Sequence, residues 1–281
     1  MSVDRILLLG ALAGFTIFLG LPAGRLRSPA LRLKAFLSAA ATGILLFLIW
    51  DVLTAASEPV ESALQAASTH GGSWSRFLGL GGLFIVGLAV GLLGLVYWER
   101  LASRHRSAAM LGPGAASAAE MEHGHGHGLE PSRALALFIA IGIGLHNFAE
   151  GLAIGQSAAA GEISLALVLI VGFGLHNATE GFGIVAPLSG DSALPSWRFL
   201  ALLGLIGGGP TFLGTVVGQA WVNDFVSVAF LTLAAGSILY VVIELLQINR
   251  AFGFKRLVTW GLLLGLLAGF LTDWVLVAAG A

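Results

Sequence analysis

Cysteine is absent from all 281 residues. That excludes disulfides and thiolate ligation, so a transition metal would have to be held by imidazole, carboxylate, amide or water. Charge is the next scarcity. Only 10% of residues are Asp, Glu, Lys or Arg, against roughly a quarter in a soluble domain, whose surface must be solvated. The net charge is −1 and no basic tract suits a phosphate backbone, which argues against a nucleic-acid partner. What remains is apolar. Hydrophobic residues make up 57% of the chain, in runs of about twenty that each give a helix roughly 30 Å long, the thickness of the hydrocarbon core. The 40 glycines are about twice the usual share and predict helices in close backbone contact. The expectation is an all-α polytopic membrane protein with the lipid bilayer as its solvent.

Eight spans are predicted, at about 6–24, 33–54, 77–98, 133–158, 163–188, 197–219, 225–247 and 256–278, forming one transmembrane domain over 1–281. The first could pass for a signal peptide. However, Asp4 and Arg5 make a weak n-region and its cations, Arg25 and Arg27, follow the apolar stretch, so it reads as a retained helix. Twelve of the fourteen Lys and Arg residues fall in the odd-numbered connections or beside them, leaving Arg5 and Arg76 on the other side. The positive-inside rule then puts both termini outside, in a multi-pass bacterial inner (plasma) membrane. The outer connection near 55–76 carries Glu58 and Glu61, with Asp51 just inside the preceding helix. That is an acidic mouth able to attract cations, although an ordinary solvated loop would look the same. The connection 99–132 is the long hydrophilic one, rich in Ala, Gly and Ser, and expected to be flexible and cytoplasmic. Its alternating His123, His125 and His127, beside Glu120 and Glu122, can gather a metal loosely.

The chemistry lies in an echo thirty residues apart. Residues 141–155 read IGIGLHNFAEGLAIG and 171–185 read VGFGLHNATEGFGIV, with eight of fifteen positions identical. General apolarity can explain shared Gly and Leu, but not His, Asn and Glu repeated in mid-membrane. His146 and Glu150, like His176 and Glu180, are four apart on one helical face, with Asn147 and Asn177 three before each glutamate. Ionised carboxylates cost several kcal/mol at such depth, and two together repel unless a cation compensates them. A divalent ion between the helices resolves the conflict; a clamp of His–Glu hydrogen bonds is the competing explanation. The short connection 159–162 makes the two helices antiparallel neighbours. Gly142, Gly144, Gly151, Gly155, Gly172, Gly174 and Gly181 are expected to let them approach closely. Such N and O donors suit Zn²⁺, Fe²⁺ and Mn²⁺ better than Cu⁺.

With these residues the sequence resembles the ZIP (Zrt/Irt-like) family of divalent metal transporters. The likeness covers the eight-span plan, outward termini, the His-containing loop and motifs in spans four, five and seven. His146-Asn147-Phe148-Ala149-Glu150-Gly151 and His176-Asn177-Ala178-Thr179-Glu180-Gly181 match the family's HN-x-P-E-G and H/D-x-x-P-E-G patterns. The resemblance implies that His146, Glu150, His176 and Glu180 bind the principal metal, with Asn147 and Asn177 bordering a second site. It also implies a homodimer, and an inverted 3+2+3 arrangement around the central pair. Three departures stand out. Ala149 and Thr179 replace the motif prolines, predicting weaker kinks. Gly209 stands where many relatives carry glutamate, predicting a mainly single-metal centre. Glu244 in span seven falls at the cytoplasmic end, where an exit role fits, as does mere pairing with Arg250. Asp51 reads as an access-path ligand, and Asp273 and Glu162 as interfacial residues.

The expected function is uptake of divalent transition-metal ions, zinc first and Fe²⁺, Mn²⁺ or Cd²⁺ as further candidates, with no organic cofactor. A membrane-embedded metal sensor or scaffold without flux is the alternative. An intramembrane metalloenzyme fits less well, because HNxxE offers no second His on its own helix and Glu150 would be used as a ligand. No enzymatic activity is expected.

Overall fold

The computed structural model describes residues 3–26, 31–69, 71–110, 130–159, 163–190, 193–220 and 223–278. Eight α-helices occur among them: α1 (Val3–Phe15), α2 (Leu31–Thr69), α3 (Trp74–Met110), α4 (Pro131–Ala159), α5 (Ile163–Val185), α6 (Trp197–Ala220), α7 (Asp224–Ala251) and α8 (Lys255–Ala278). No strand occurs among the described residues. Seven helical segments among the described residues are long and apolar enough to cross a membrane. The 23 residues of α5 add a helix of roughly 35 Å at 1.5 Å per residue. The protein is a multi-pass helical membrane protein. Burial is uneven: α4 has 72% of its apolar stretch buried, against 17% for α3 and α8. The helix carrying the first polar motif is therefore central, and α3 and α8 are peripheral.

Three spans depart from the sequence expectation. The first is broken: α1 stops at Phe15 and the chain continues as 3₁₀ turns over Thr16–Leu19 and Leu21–Arg25. The Thr16 hydroxyl donates to the carbonyl of Ala13, and Pro22, which has no N–H, fits the first positions of the second turn. The outer connection near 55–76 is instead helix as far as Thr69. Ala56, Val60, Ala63 and Ala67 form a stripe at helical spacing, and the Val60–Ala63 part packs on Leu80 and Val228. Low hydropathy there marks a helix leaving the bilayer, with Glu58 and Glu61 on its exposed or half-exposed side. Likewise α3 runs past residue 98 to Met110. The His123, His125 and His127 segment, and Glu162, lie outside the described residues.

Local signals place the ends of α7. Asn223 caps its start, the side chain accepting from the Phe225 N–H at 2.9 Å. Asp224 in the first turn pairs with Arg76 at the start of α3, and Gly253, with φ +74°, turns the chain into α8.

Gly142, Gly144, Gly151, Gly155, Gly174 and Gly181 do not serve the contact between α4 and α5. A Cβ on Gly144, Gly151 or Gly155 would collide with α6 carbonyls, of Ile206, Thr211 and Thr215, and one on Gly181 with the carbonyl of Ile17. Gly144, Gly151 and Gly155 share one face of α4, and the His146–Glu150 stripe lies on another. The small-residue face of α4 therefore seats it on α6 and leaves the polar face for α5. Gly151→Ala is expected to lower stability by about 1–3 kcal/mol, the usual cost of overpacking. Gly82→Ala, at a position with no atom within 4 Å, should leave the melting temperature in detergent unchanged.

These close approaches come in matched pairs. Gly214 lies against the carbonyl of Phe148 as Gly20 lies against that of Ala178, and Gly236 against Leu88 as Gly43 against Leu262. Gly14 and Gly208 meet each other's carbonyls. One register shift relates residues 14 and 20 to 208 and 214, and the thirty-residue shift relates 148 to 178.

Candidate metal centre

The polar stripes of α4 and α5 meet in the interior. Nε2 of His146 is 2.9 Å from Oε1 of Glu150, and that same oxygen is in direct contact with Nε2 of His176. The imidazole centroids are 6.1 Å apart. One donor atom from each of His146, Glu150 and His176 lies within 4.8 Å of the others. His146 Nε2, Glu150 Oε1 and His176 Nε2 thus converge as three atoms that one ion can share.

Glu180 stands at the edge of the group. Its Oε1 is 3.9 Å from His146 Nε2, and both its oxygens are buried without a hydrogen-bond partner. Burial of an unpaired carboxylate is costly, and a cation is the natural compensation. Asn147 and Asn177 each donate an amide N–H to a neighbouring helix. Asn147 donates to the carbonyl of Gly207 at 2.9 Å and Asn177 to that of Ala13 at 3.2 Å, fastening α4 to α6 and α5 to α1. Their Oδ1 atoms remain unpartnered, so each amide can fasten a helix and still offer an oxygen. The Thr179 hydroxyl donates to the His176 carbonyl at 2.7 Å. Such back-bonding bends helices mildly.

A cavity of about 310 Å³ opens beside His176, between α2, α5 and α8. Asp51, His176 and Asp273 are its charged and titratable lining residues, among mostly apolar neighbours such as Phe47 and Phe173. The side chain of His176 is 12% exposed and that of His146 1%. The centre is thus reached from the Asp51 side and sealed on the other. Asp273, expected at the interface, is a cavity residue. The signal was present in the sequence: Gly261, Gly265, Gly269 and Asp273 recur every four residues, and the first three of them seat α8 on α2.

Glu244 is half-buried on α7, engaged with a partner, and does not line this cavity. Gly209 does not face the centre. It falls on the stripe of Leu205, Leu213 and Val216, all exposed, and a Cβ there would meet nothing within 4 Å. The lack of a carboxylate at this position therefore does not bear directly on the His/Glu group.

Fold and site together define a polytopic helical membrane protein with a buried His/Glu/His group able to hold a metal ion. Compared with known proteins, the sequence matches no family model and no curated protein.

Proposed function

We propose that this chain is a ZIP-type transporter that carries divalent transition-metal ions, zinc foremost, across a bacterial inner membrane into the cytoplasm. The observation that carries the reading is the convergence of His146, Glu150 and His176 near the middle of α4 and α5, at the end of a cavity that also holds Asp51 and Asp273. A structural ion would need no such approach. A sensor without flux would need no polar residues on both sides of the group, and Asp51 and Asp273 on one side with Glu180 and Glu244 toward the other favour transport over sensing. The matched close contacts support inverted repeats, α1–α3 against α6–α8 with α4 and α5 between them, the plan of carriers that bind substrate at the bilayer midplane. The distribution of Lys and Arg supports an orientation with both termini, and with them the cavity, on the outer side.

In this reading Asp51 and Asp273 draw the cation into the cavity, where it exchanges water for the imidazoles and the Glu150 carboxylate. Glu180 and the free oxygens of Asn147 and Asn177 extend the polar surface on the sealed side, toward which the ion leaves. Glu244 stands further along α7 on that side, and the His123–His127 segment would receive the ion in the cytoplasm. A homodimer is part of the same proposal.

The test is flux into liposomes loaded with a fluorescent zinc indicator. Wild type should carry Zn²⁺, with His176→Ala reduced to near the protein-free leak. Tight binding without flux of Zn²⁺, Fe²⁺, Mn²⁺ or Cd²⁺ would replace transport with a sensing role.

A further inference from the structure

The matched contacts give a residue-by-residue map between the two sides of the centre. The shift that relates Gly43 to Gly236 carries Asp51 onto Glu244. It also carries the cavity residues Ile44, Phe47 and Leu48 onto Ser237, Tyr240 and Val241. The thirty-residue shift carries His176 and Gly172 onto His146 and Gly142. On the Asp51 side these positions line the cavity. On the Glu244 side, Ser237, Tyr240, Val241 and His146 are all buried. The repeats are therefore alike in sequence position and unlike in conformation, open on one side and packed on the other.

Two buried hydrogen bonds of α7 have no counterpart on the open side, and one of them crosses the helix pair that must part. The Ser237 hydroxyl of α7 reaches the Gly142 carbonyl of α4 at 3.0 Å, while also lying 2.8 Å from the Ala234 carbonyl of its own helix. The matching pair on the open side is Ile44 and Gly172, and isoleucine has no donor. Asn249 of α7 donates from Nδ2 to the Thr42 hydroxyl of α2 at 2.9 Å, and Thr42 passes its own proton to the Ser38 carbonyl at 2.8 Å. The matching pair is Ala56 and Ala235, both buried and neither able to bond. The cavity opens between α2, α5 and α8, whose counterparts are α7, α4 and α3, so opening the packed side parts α7 from α4 and breaks the Ser237 bond. The Asn249 bond joins α7 to α2, which are counterparts of each other, and that contact stays packed on the open side.

We infer that the Ser237–Gly142 hydrogen bond is a lock that holds the Glu244 side closed. This rests on the transport reading, because only a carrier needs the second opening. The lock sets the population of the state open toward Glu244, and the apolar matching positions leave the Asp51 side free to open by default. Leu in place of Asn249 fills similar volume and leaves no orphan, because Thr42 keeps its bond to Ser38. Ala in place of Ser237 likewise removes a donor without burying a new one. Ser237→Ala thus subtracts the lock and little else, and Asn249→Leu removes a bond that opening leaves intact.

The cysteine-free chain makes the test direct. Val241→Cys reports on the packed side and Leu48→Cys, its counterpart, on the cavity side. Each is treated with a maleimide in lipid nanodiscs without metal. Adding Ser237→Ala should raise the Val241→Cys labelling rate about threefold, as net loss of one ordinary buried hydrogen bond implies, and Leu48→Cys should not accelerate. Asn249→Leu, which removes a buried bond inside the contact that does not part, is the control and should leave both rates unchanged. A Val241→Cys rate unchanged by Ser237→Ala, or raised as much by Asn249→Leu, or equal acceleration at both reporters, would overturn the lock. Zinc flux in wild type separates the two readings. Labelling that shifts in a protein without flux defeats transport, and flux with unshifted labelling defeats the lock alone.

Discussion

Glu150→Gln is expected to weaken Zn²⁺ binding more than about 100-fold, measured by calorimetry or by chelator competition on the purified protein. Loss of an outer partner of a metal ligand already costs about 10–100-fold, and Glu150 is more central than that. One of its oxygens lies against both imidazoles, so it is the atom through which the two helices share an ion. Gln keeps the volume and one oxygen but removes the charge that compensates a dication, and its amide N–H₂ group presents donors to the imidazole lone pairs. The helices should remain packed, because α4 is seated by Gly144, Gly151 and Gly155 on α6 and not by the glutamate. Melting in the absence of metal should therefore change little, and the stabilisation that Zn²⁺ adds to wild type should vanish. Glu61→Gln, an exposed residue on the extension of α2, serves as the control and should bind as wild type does. Equal affinity in wild type and Glu150→Gln would remove the site from consideration.

The site could be read from the sequence because its residues are chemically improbable where they stand. His, Asn and Glu repeated inside apolar runs demand an explanation, and helical spacing alone puts His146 beside Glu150. The membrane class was equally legible, since apolar run length fixes it. Three other features depend on which helix meets which, and that is not written in any single run. The glycines were assigned to the wrong contact: their face of α4 can be counted from the sequence, but nothing local says that α6 lies there. Asp273 was misplaced because a lone acid near a span end looks interfacial until α8 is laid on α2. Gly209 was given a role by motif alignment, although its own stripe of Leu205 and Leu213 marks an outward face. The extension of α2 to Thr69 was hidden for another reason. Hydropathy falls where the helix leaves lipid, yet the Ala56–Val60–Ala63–Ala67 periodicity persists, and periodicity rather than hydropathy defines the helix.

Asp51→Asn together with Asp273→Asn should slow Zn²⁺ flux about tenfold at low Zn²⁺ while changing the affinity of the midplane centre less than about threefold. The two carboxylates line the cavity that ends at His176, in walls that are otherwise mostly apolar and so screen little. A cleft of one sign with low-dielectric walls raises the local concentration of counter-ions and speeds association by about 10–10³. Removing the charges should therefore act on capture. At saturating Zn²⁺ the double variant should recover most of the wild-type rate, because the ion, once bound, is held by His146, Glu150 and His176. Salt provides an independent arm. Raising ionic strength from low to physiological shortens the Debye length to about 8 Å, so wild-type flux should fall with salt and the variant's flux much less. If Asp51 and Asp273 were instead ligands of the central ion, affinity and flux would drop together and saturation would not restore the rate. Titrating flux and equilibrium binding on the same preparation distinguishes capture from ligation, and a flux insensitive to both substitutions would show that the ion reaches His176 by another route.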